Sequence, residues 1–167
     1  MNWYVLLVKR FMEKRVAEKI AAQGIEVYLP SQRVEKKWSD RVKIQDQLVI
    51  SGTIFVHCED ADRAKTYVMG SIGLHYLADR ITHKPLIIPD GQMKAFQTFL
   101  SQTSIPIEFS TEHFAPGMKV KIHNKLFAGD LAELVEFRGT KKVIVRLYQL
   151  GCAAMELPLD DLVPVKE

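Results

Sequence analysis

The sequence predicts an α+β chain in two parts: an N-terminal sandwich in which helices flank a sheet, then a small all-β barrel. Three observations predict it. Through residue 100 the apolar pattern alternates between strand-like runs and helical faces. Residues 101–112 lose that periodicity, are polar, and read as a linker. Beyond residue 113 only strand-like alternation remains, and closing short strands into a barrel removes their exposed edges. The 167 residues, 47% hydrophobic and 26% charged, have ordinary globular composition and suffice for two small domains. No apolar run approaches the roughly 18 residues of a membrane span, and the opening Met1-Asn2-Trp3 has no basic export region, so a cytoplasmic location is expected.

Residues 3–8, Trp-Tyr-Val-Leu-Leu-Val, are a continuous run of strand formers, the pattern of a central strand buried on both faces. From Phe11 the period changes. Phe11, Val16, Ala17, Ile20 and Ala21 share one helical face, Glu13, Lys14, Glu18 and Lys19 face water, and Gly24 stops the helix. Residues 25–29 are a second strand, ended by Pro30. The polar, basic stretch 32–43 is a long exposed hairpin or loop turning at Ser39-Asp40. Residues 48–50, Gly52 and residues 54–56 give another buried strand. Asp60 caps a short helix with Ala61, Ala64, Tyr67 and Val68 inward, and residues 72–77 are a further strand. After Pro85 and Pro89, Asp90 caps a helix that turns Met93, Phe96 and Leu100 inward. In the second part, residues 118–122, 131–137, 143–147 and 153–157 are strands. Gly139 marks a turn, and Asp160-Asp161-Leu162 a last one.

Charge is unevenly spread. Residues 1–100 carry 15 Lys+Arg against 11 Asp+Glu, a net +4, whereas residues 101–167 carry 8 against 9. The excess sits at the front, 10 against 5 within residues 1–43, a localised positive field suited to a phosphate backbone. Cys58 and Cys152 have no CxxC partner and the five histidines no ligand spacing, so free buried thiols and no metal are expected. A nucleophilic site at His57-Cys58 with Asp79 fails on geometry, because adjacent strand residues point to opposite faces. With no phosphate-binding loop or nucleophile elbow, the chain reads as a non-enzyme without a cofactor.

Several segments resemble, in order, the N-terminal domain of NusG-family transcription factors. They are Asn2-Trp3-Tyr4-Val5-Leu6, Gly24-Ile25-Glu26-Val27-Tyr28-Leu29-Pro30, Gly52-Thr53-Ile54-Phe55-Val56 and Lys84-Pro85-Leu86-Ile87-Ile88-Pro89-Asp90. Residues 114–120 and 129–139 resemble the family's SH3-like KOW barrel, although Ala132 stands at its hallmark glycine and Lys125-Leu126 at its Gly-Pro. The resemblance implies a NusG-type domain at 1–100, a linker at 101–112 and a KOW barrel at 113–167. It is closest to the specialised UpxY-type paralogues that act on capsule or surface-polysaccharide operons. It implies a monomeric, non-enzymatic elongation and antitermination factor. The first domain would bind the clamp helices of RNA polymerase and suppress pausing or termination. The barrel would contact a ribosomal protein or termination factor.

By the same resemblance, Phe55 lines the apolar depression that grips the polymerase, and Leu7 and Thr53 are its neighbours. Lys9 and Arg10 match a basic pair that touches non-template DNA, and His75 falls near another such position. Trp3 and Tyr4 read as core. Arg33, Lys36, Lys37, Arg41 and Lys43 around Trp38 suit either a solvated hairpin or a nucleic-acid contact, with backbone charge plus a ring for an unpaired base of DNA or nascent RNA. The alternative function, a free-standing RNA- or ribosome-binding module using the barrel, fits poorly with that part's net charge of −1.

Overall fold

The computed structural model describes residues 1–66, 74–101, 106–111, 118–122, 131–137, 140–156 and 162–164. The expectations for Tyr67, Val68, residues 72–73, 102–105, 112–117, 123–130, Gly139 and Asp160-Asp161 lie outside them. The chain packs as two units, residues 1–31 with 50–90, and residues 32–49 with 91–167. This division departs from the linear one read from the sequence, because the hairpin residues and residues 91–100 group with the second unit.

In the first unit, β1 (Asn2–Leu7) lies at the centre of a five-stranded sheet with β2 (Glu26–Tyr28), β5 (Thr53–Cys58), β6 (His75–Tyr76) and β7 (Ile87–Ile88). β5 runs antiparallel along one side of β1, from Asn2 opposite Cys58 to Leu7 opposite Thr53. β6 and β7 share the other side, and β2 pairs with β5. Helix α1 (Glu13–Ala21) contributes Val16 and Ile20 to a core with Tyr4, Leu6, Val8, Ile54, Val56 and Cys58. Burying each large aliphatic side chain contributes about 1.5–3 kcal/mol, so this seam dominates the unit's stability. Trp3, Val5 and Phe55 on the opposite face are buried too, as expected for strands covered on both sides.

Four expectations are corrected here. Glu13, expected to face water, is buried at the start of α1, where its carboxylate accepts the Gly52 N–H. Phe11 is not on the inner helical face: the helix begins at Glu13, and Phe11 points into solvent at 96% exposure. Asp60–Thr66 is a 3₁₀ helix whose Ala61 and Ala64 are exposed while Thr66 is buried. Leu48 ends β4 (Val42–Leu48) instead of entering β5, because the chain turns at Ser51-Gly52.

That turn is held from two sides. Val8 donates its N–H to the Gly52 carbonyl at 2.9 Å, and Gly52 donates its N–H to Oε1 of the buried Glu13 at 2.8 Å. Gly52 has φ +67, and a Cβ there would stand 3.1 Å from the Val8 carbonyl oxygen. Glycine therefore satisfies both the left-handed backbone and the close approach.

The second unit holds the hairpin of β3 (Ser31–Lys37) and β4, the helix α2 (Asp90–Ser101), and a six-stranded antiparallel sheet. The sheet order is β13-β9-β10-β11-β12-β8, with β8 (Glu108–Ser110), β9 (Met118–Ile122), β10 (Leu131–Phe137), β11 (Thr140–Leu147), β12 (Gly151–Met155) and β13 (Leu162–Pro164). Two segments read as linker or turn are therefore strands. Residues 108–110 pair with β12, and Leu162–Pro164 pairs with β9. Both are three-residue edge strands, too short to show a period. Arg146 clamps β11 to β10 through two bonds to the Glu133 carboxylate at 2.9 and 3.1 Å. A Cβ on Gly151 would meet the Ser110 carbonyl oxygen at 2.4 Å, so the seam between β12 and β8 tolerates no side chain there.

Gly52→Ala is expected to lower stability by about 1–2 kcal/mol, from the left-handed backbone plus the contact with Val8. Urea denaturation of the two proteins measures this, and equal midpoints would contradict it.

Candidate nucleic-acid interface

The antiparallel registers place three predicted site residues in one cross-strand row. Leu7 stands opposite Thr53 on one side and His75 on the other. Residues directly opposite one another project to the same face. Phe55 lies in the next row of that face, opposite Val5 and Tyr28, with its ring 6.2 Å from the Tyr28 ring. The row grades outward: Thr53 is buried, Leu7 half-buried and His75 exposed. Phe55 is 0% exposed, so its ring is part of the interior and offers no surface to a partner in this structure. Of the apolar set, Leu7 is the residue with accessible area.

Beyond Leu7 and the buried Val8, Lys9, Arg10 and Phe11 follow the end of β1, all three exposed. Phe11 also adopts φ +69, a left-handed conformation costing a non-glycine residue about 1–2 kcal/mol. An apolar ring at 96% exposure gains nothing from burial to offset that. Backbone strain persists where the surroundings over-determine it. Here the Met12 N–H bonds to the Lys9 carbonyl at 3.1 Å, and Glu13 is tied to the Gly52 turn, so the corner between β1 and α1 is held at both ends. Helical periodicity missed Phe11 because apolar spacing carries no information about φ.

On the other face of β1, a polar network fixes β6 and with it His75. The Arg63 guanidinium lies 5.3 Å from the Tyr4 ring centre and 5.4 Å from that of Tyr76. Arg63 Nε donates to Asp60 at 2.8 Å, a bond that lowers the Asp60 pKa, and the Thr66 and Tyr76 hydroxyls bond at 2.5 Å.

The basic hairpin is sorted by face. Trp38 donates its N–H to the Arg41 carbonyl at 2.7 Å, which sets these two residues opposite one another across Ser39-Asp40. The register that follows puts Arg33 opposite Asp46, and their side chains form an ion pair at 3.8 Å. It also sets Lys36 opposite Lys43 and Lys37 opposite Val42. Alternation then gathers Val34, Lys36, Trp38, Arg41, Lys43 and Gln45 on one face, the first and last half-buried, and Arg33, Glu35, Lys37, Val42, Ile44 and Asp46 on the other. The six predicted hairpin residues thus separate into four and two.

His57 and Cys58 point to opposite sides of β5, as expected. His57 stacks on Trp3 at 4.6 Å and bonds Glu26 at 2.6 Å, while Cys58 joins the core. Burial pushes both thiols up in pKa, away from the thiolate that nucleophilic chemistry needs. Asp79 accepts the N–H groups of Ile81 and Thr82 at 2.7 and 2.8 Å, a turn-forming role. Among the described residues no cluster of His, Cys, Asp or Glu could hold a metal, and no helix is long and apolar enough to cross a membrane.

Residues 1–97 match the family described as transcription termination factor NusG. No curated protein matches the chain. Among solved structures, one of NusG from Thermotoga maritima, described by its domain interaction, is similar in fold. The TM-score is 0.52 at 17% identity, covering 99% of this chain and 97% of that one. A structure of the MjSpt4:Spt5 complex, conformation A, aligns over 99% of each chain at 14% identity, but its TM-score of 0.31 is too low to bear on the fold.

Phe11→Gly is expected to raise stability by about 1 kcal/mol by relieving the left-handed backbone, whereas Phe11→Ala, which keeps the strain, is expected to change it little. Urea denaturation of both variants checks this. A loss of stability in Phe11→Gly would show that the ring packs.

Proposed function

Because the chain belongs to the NusG family of transcription factors, we propose that it is an elongation factor that binds RNA polymerase and suppresses pausing or termination. The observation that carries this reading is the row Thr53–Leu7–His75 with Lys9 and Arg10 at its end. It sets the accessible apolar area of Leu7, at the end of β1, beside the exposed His75 on the neighbouring strand β6 and the exposed cations at the corner that follows β1. Leu7 is the apolar contact to the clamp helices of the polymerase, with Thr53 and Phe55 beneath it as the support that fixes its position. Lys9, Arg10 and His75 face the non-template DNA strand, where phosphate contacts need only correctly placed charge.

The family match ends at residue 97, close to the boundary at 100 that the sequence suggests for a NusG-type domain. We assign residues 113–167 to a KOW-type barrel that reaches a second partner, a ribosomal protein or termination factor. We assign the chain to the specialised paralogues acting on surface-polysaccharide operons, working in the cytoplasm as a monomer and without catalysis of its own.

Two experiments test the reading. Leu7→Asp should weaken co-purification of RNA polymerase about tenfold or more, since an apolar contact would then bury an unpaired carboxylate. Phe55→Asp is unsuitable because it would unfold the sheet. A folded Leu7→Asp protein that still retains polymerase fully would remove Leu7 from the interface. Independently, Lys9→Ala with Arg10→Ala should lower the salt dependence of DNA binding by about two charges. An unchanged slope would exclude the pair.

A further inference from the structure

The hairpin of β3 and β4 sorts its charges in a way that folding does not explain. On the face of Arg33, Glu35, Lys37, Val42, Ile44 and Asp46, two cations meet two carboxylates, and Arg33 is paired with Asp46 at 3.8 Å. On the face of Lys36, Trp38, Arg41 and Lys43 there are three cations and no carboxylate. Lys36 stands directly opposite Lys43, an arrangement that destabilises an antiparallel pair. A two-stranded ribbon is only marginally stable on its own, so it has little reserve for internal repulsion. Among the described residues none forms an ion pair with Lys36, Arg41 or Lys43. Three exposed cations gathered in this way present a surface suited to a polyanion.

Trp38 identifies the ligand more closely. It sits on the cationic face at the hairpin tip with 60% of its surface exposed, whereas Trp3, the other tryptophan, is buried against His57. An exposed indole on a polyanion-binding face is a platform on which an unpaired base stacks. Same-face residues along a strand recur about every 7 Å, which sets Lys36 and Lys43 together in the row next to Trp38 and Arg41, within reach of the phosphates of a single strand whose base stacks on the ring. Base-paired DNA keeps its bases stacked on one another and would leave the indole unused.

We propose that the face of Lys36, Trp38, Arg41 and Lys43 is a single-stranded nucleic-acid site, with Trp38 stacking a base and the three cations holding the backbone. The site goes beyond the polymerase contact and does not depend on it. It uses neither Lys9 nor Arg10.

The test uses the full-length protein, a short oligothymidylate, the same strand paired with oligoadenylate, and polyglutamate as a polyanion without bases. Oligothymidylate should quench the emission of Trp38, and Trp38→Phe should lose that signal while keeping affinity within a few-fold. Trp38→Ala should weaken binding about tenfold. Lys36→Ala with Lys43→Ala should lower the slope of log affinity against log salt by about 1.4. The charge-matched Arg33→Ala with Lys37→Ala should leave both the slope and the quench nearly unchanged, as should Lys9→Ala with Arg10→Ala for the quench. The proposal is overturned if the duplex binds as tightly with the same quench, or if polyglutamate reproduces the quench, which would indicate an acidic protein partner. An equal loss of slope in the Arg33/Lys37 variant, or no binding to the single strand at low salt, would overturn it as well. All of the substituted hairpin side chains are exposed, so each variant is expected to fold, and circular dichroism confirms that independently.

Discussion

The pairing of β1 with β5 is the constraint on which the first unit rests. Six consecutive residue pairs, from Asn2 with Cys58 to Leu7 with Thr53, join the strand that opens the chain to one more than fifty positions later. Because side chains alternate, a slip of β5 by one residue would turn Ile54 and Val56 away from Tyr4 and Leu6 and bring Phe55 in their place, moving its whole core set to the wrong face. Both faces are buried and built from side chains of different size, so the register is specified from both sides. The Gly52 turn, held by Val8 on one side and Glu13 on the other, pins the end of this ladder and joins it to the first helix.

What the ladder positions follows directly. Leu7 ends β1, and after Val8, which still packs in the core, the chain emerges at the rim of the sheet with Lys9, Arg10 and Phe11. β6 brings His75 to the other side of Leu7, and the network of Arg63, Tyr4, Tyr76 and Thr66 fixes β6 from the opposite face. The accessible apolar area is thus held by a rigid strand and the cations by a constrained corner. A surface that must present both to a partner needs that arrangement, since loops would lose ordering entropy on binding.

The strands and helices with strong patterns were legible in the sequence. The run at residues 3–8, the helix carrying Val16 and Ile20, and the helix carrying Met93, Phe96 and Leu100 all stand where their periods put them, because apolar burial drives the formation of each. Phe11 was misplaced because its apolar spacing matches the helix face while its backbone breaks the helix. Ala61 and Ala64 were misplaced because alanine carries too little apolar area to decide which side of a short 3₁₀ turn is buried. The two edge strands at residues 108–110 and 162–164 read as linker and turn, because three residues give no period and their pairing is supplied by distant partners. At the candidate site, the cations were visible as a local excess of charge. Their division between two hairpin faces was not, because it depends on the hydrogen bond between Trp38 and Arg41 that sets the register.

By itself the sequence determined the element types, the concentration of positive charge within residues 1–43 and the resemblance to a family, since these depend on composition and local period. The tertiary structure alone decided which of those residues are offered to a partner. Phe55 looked like a contact and is interior, Phe11 looked like core and is exposed, and Lys36 and Lys37 are neighbours in sequence on opposite sides of a ribbon. The physical reason is common to all three: accessibility is a property of what packs across from a residue, and that is set by long-range register and backbone conformation, which no local window of sequence contains.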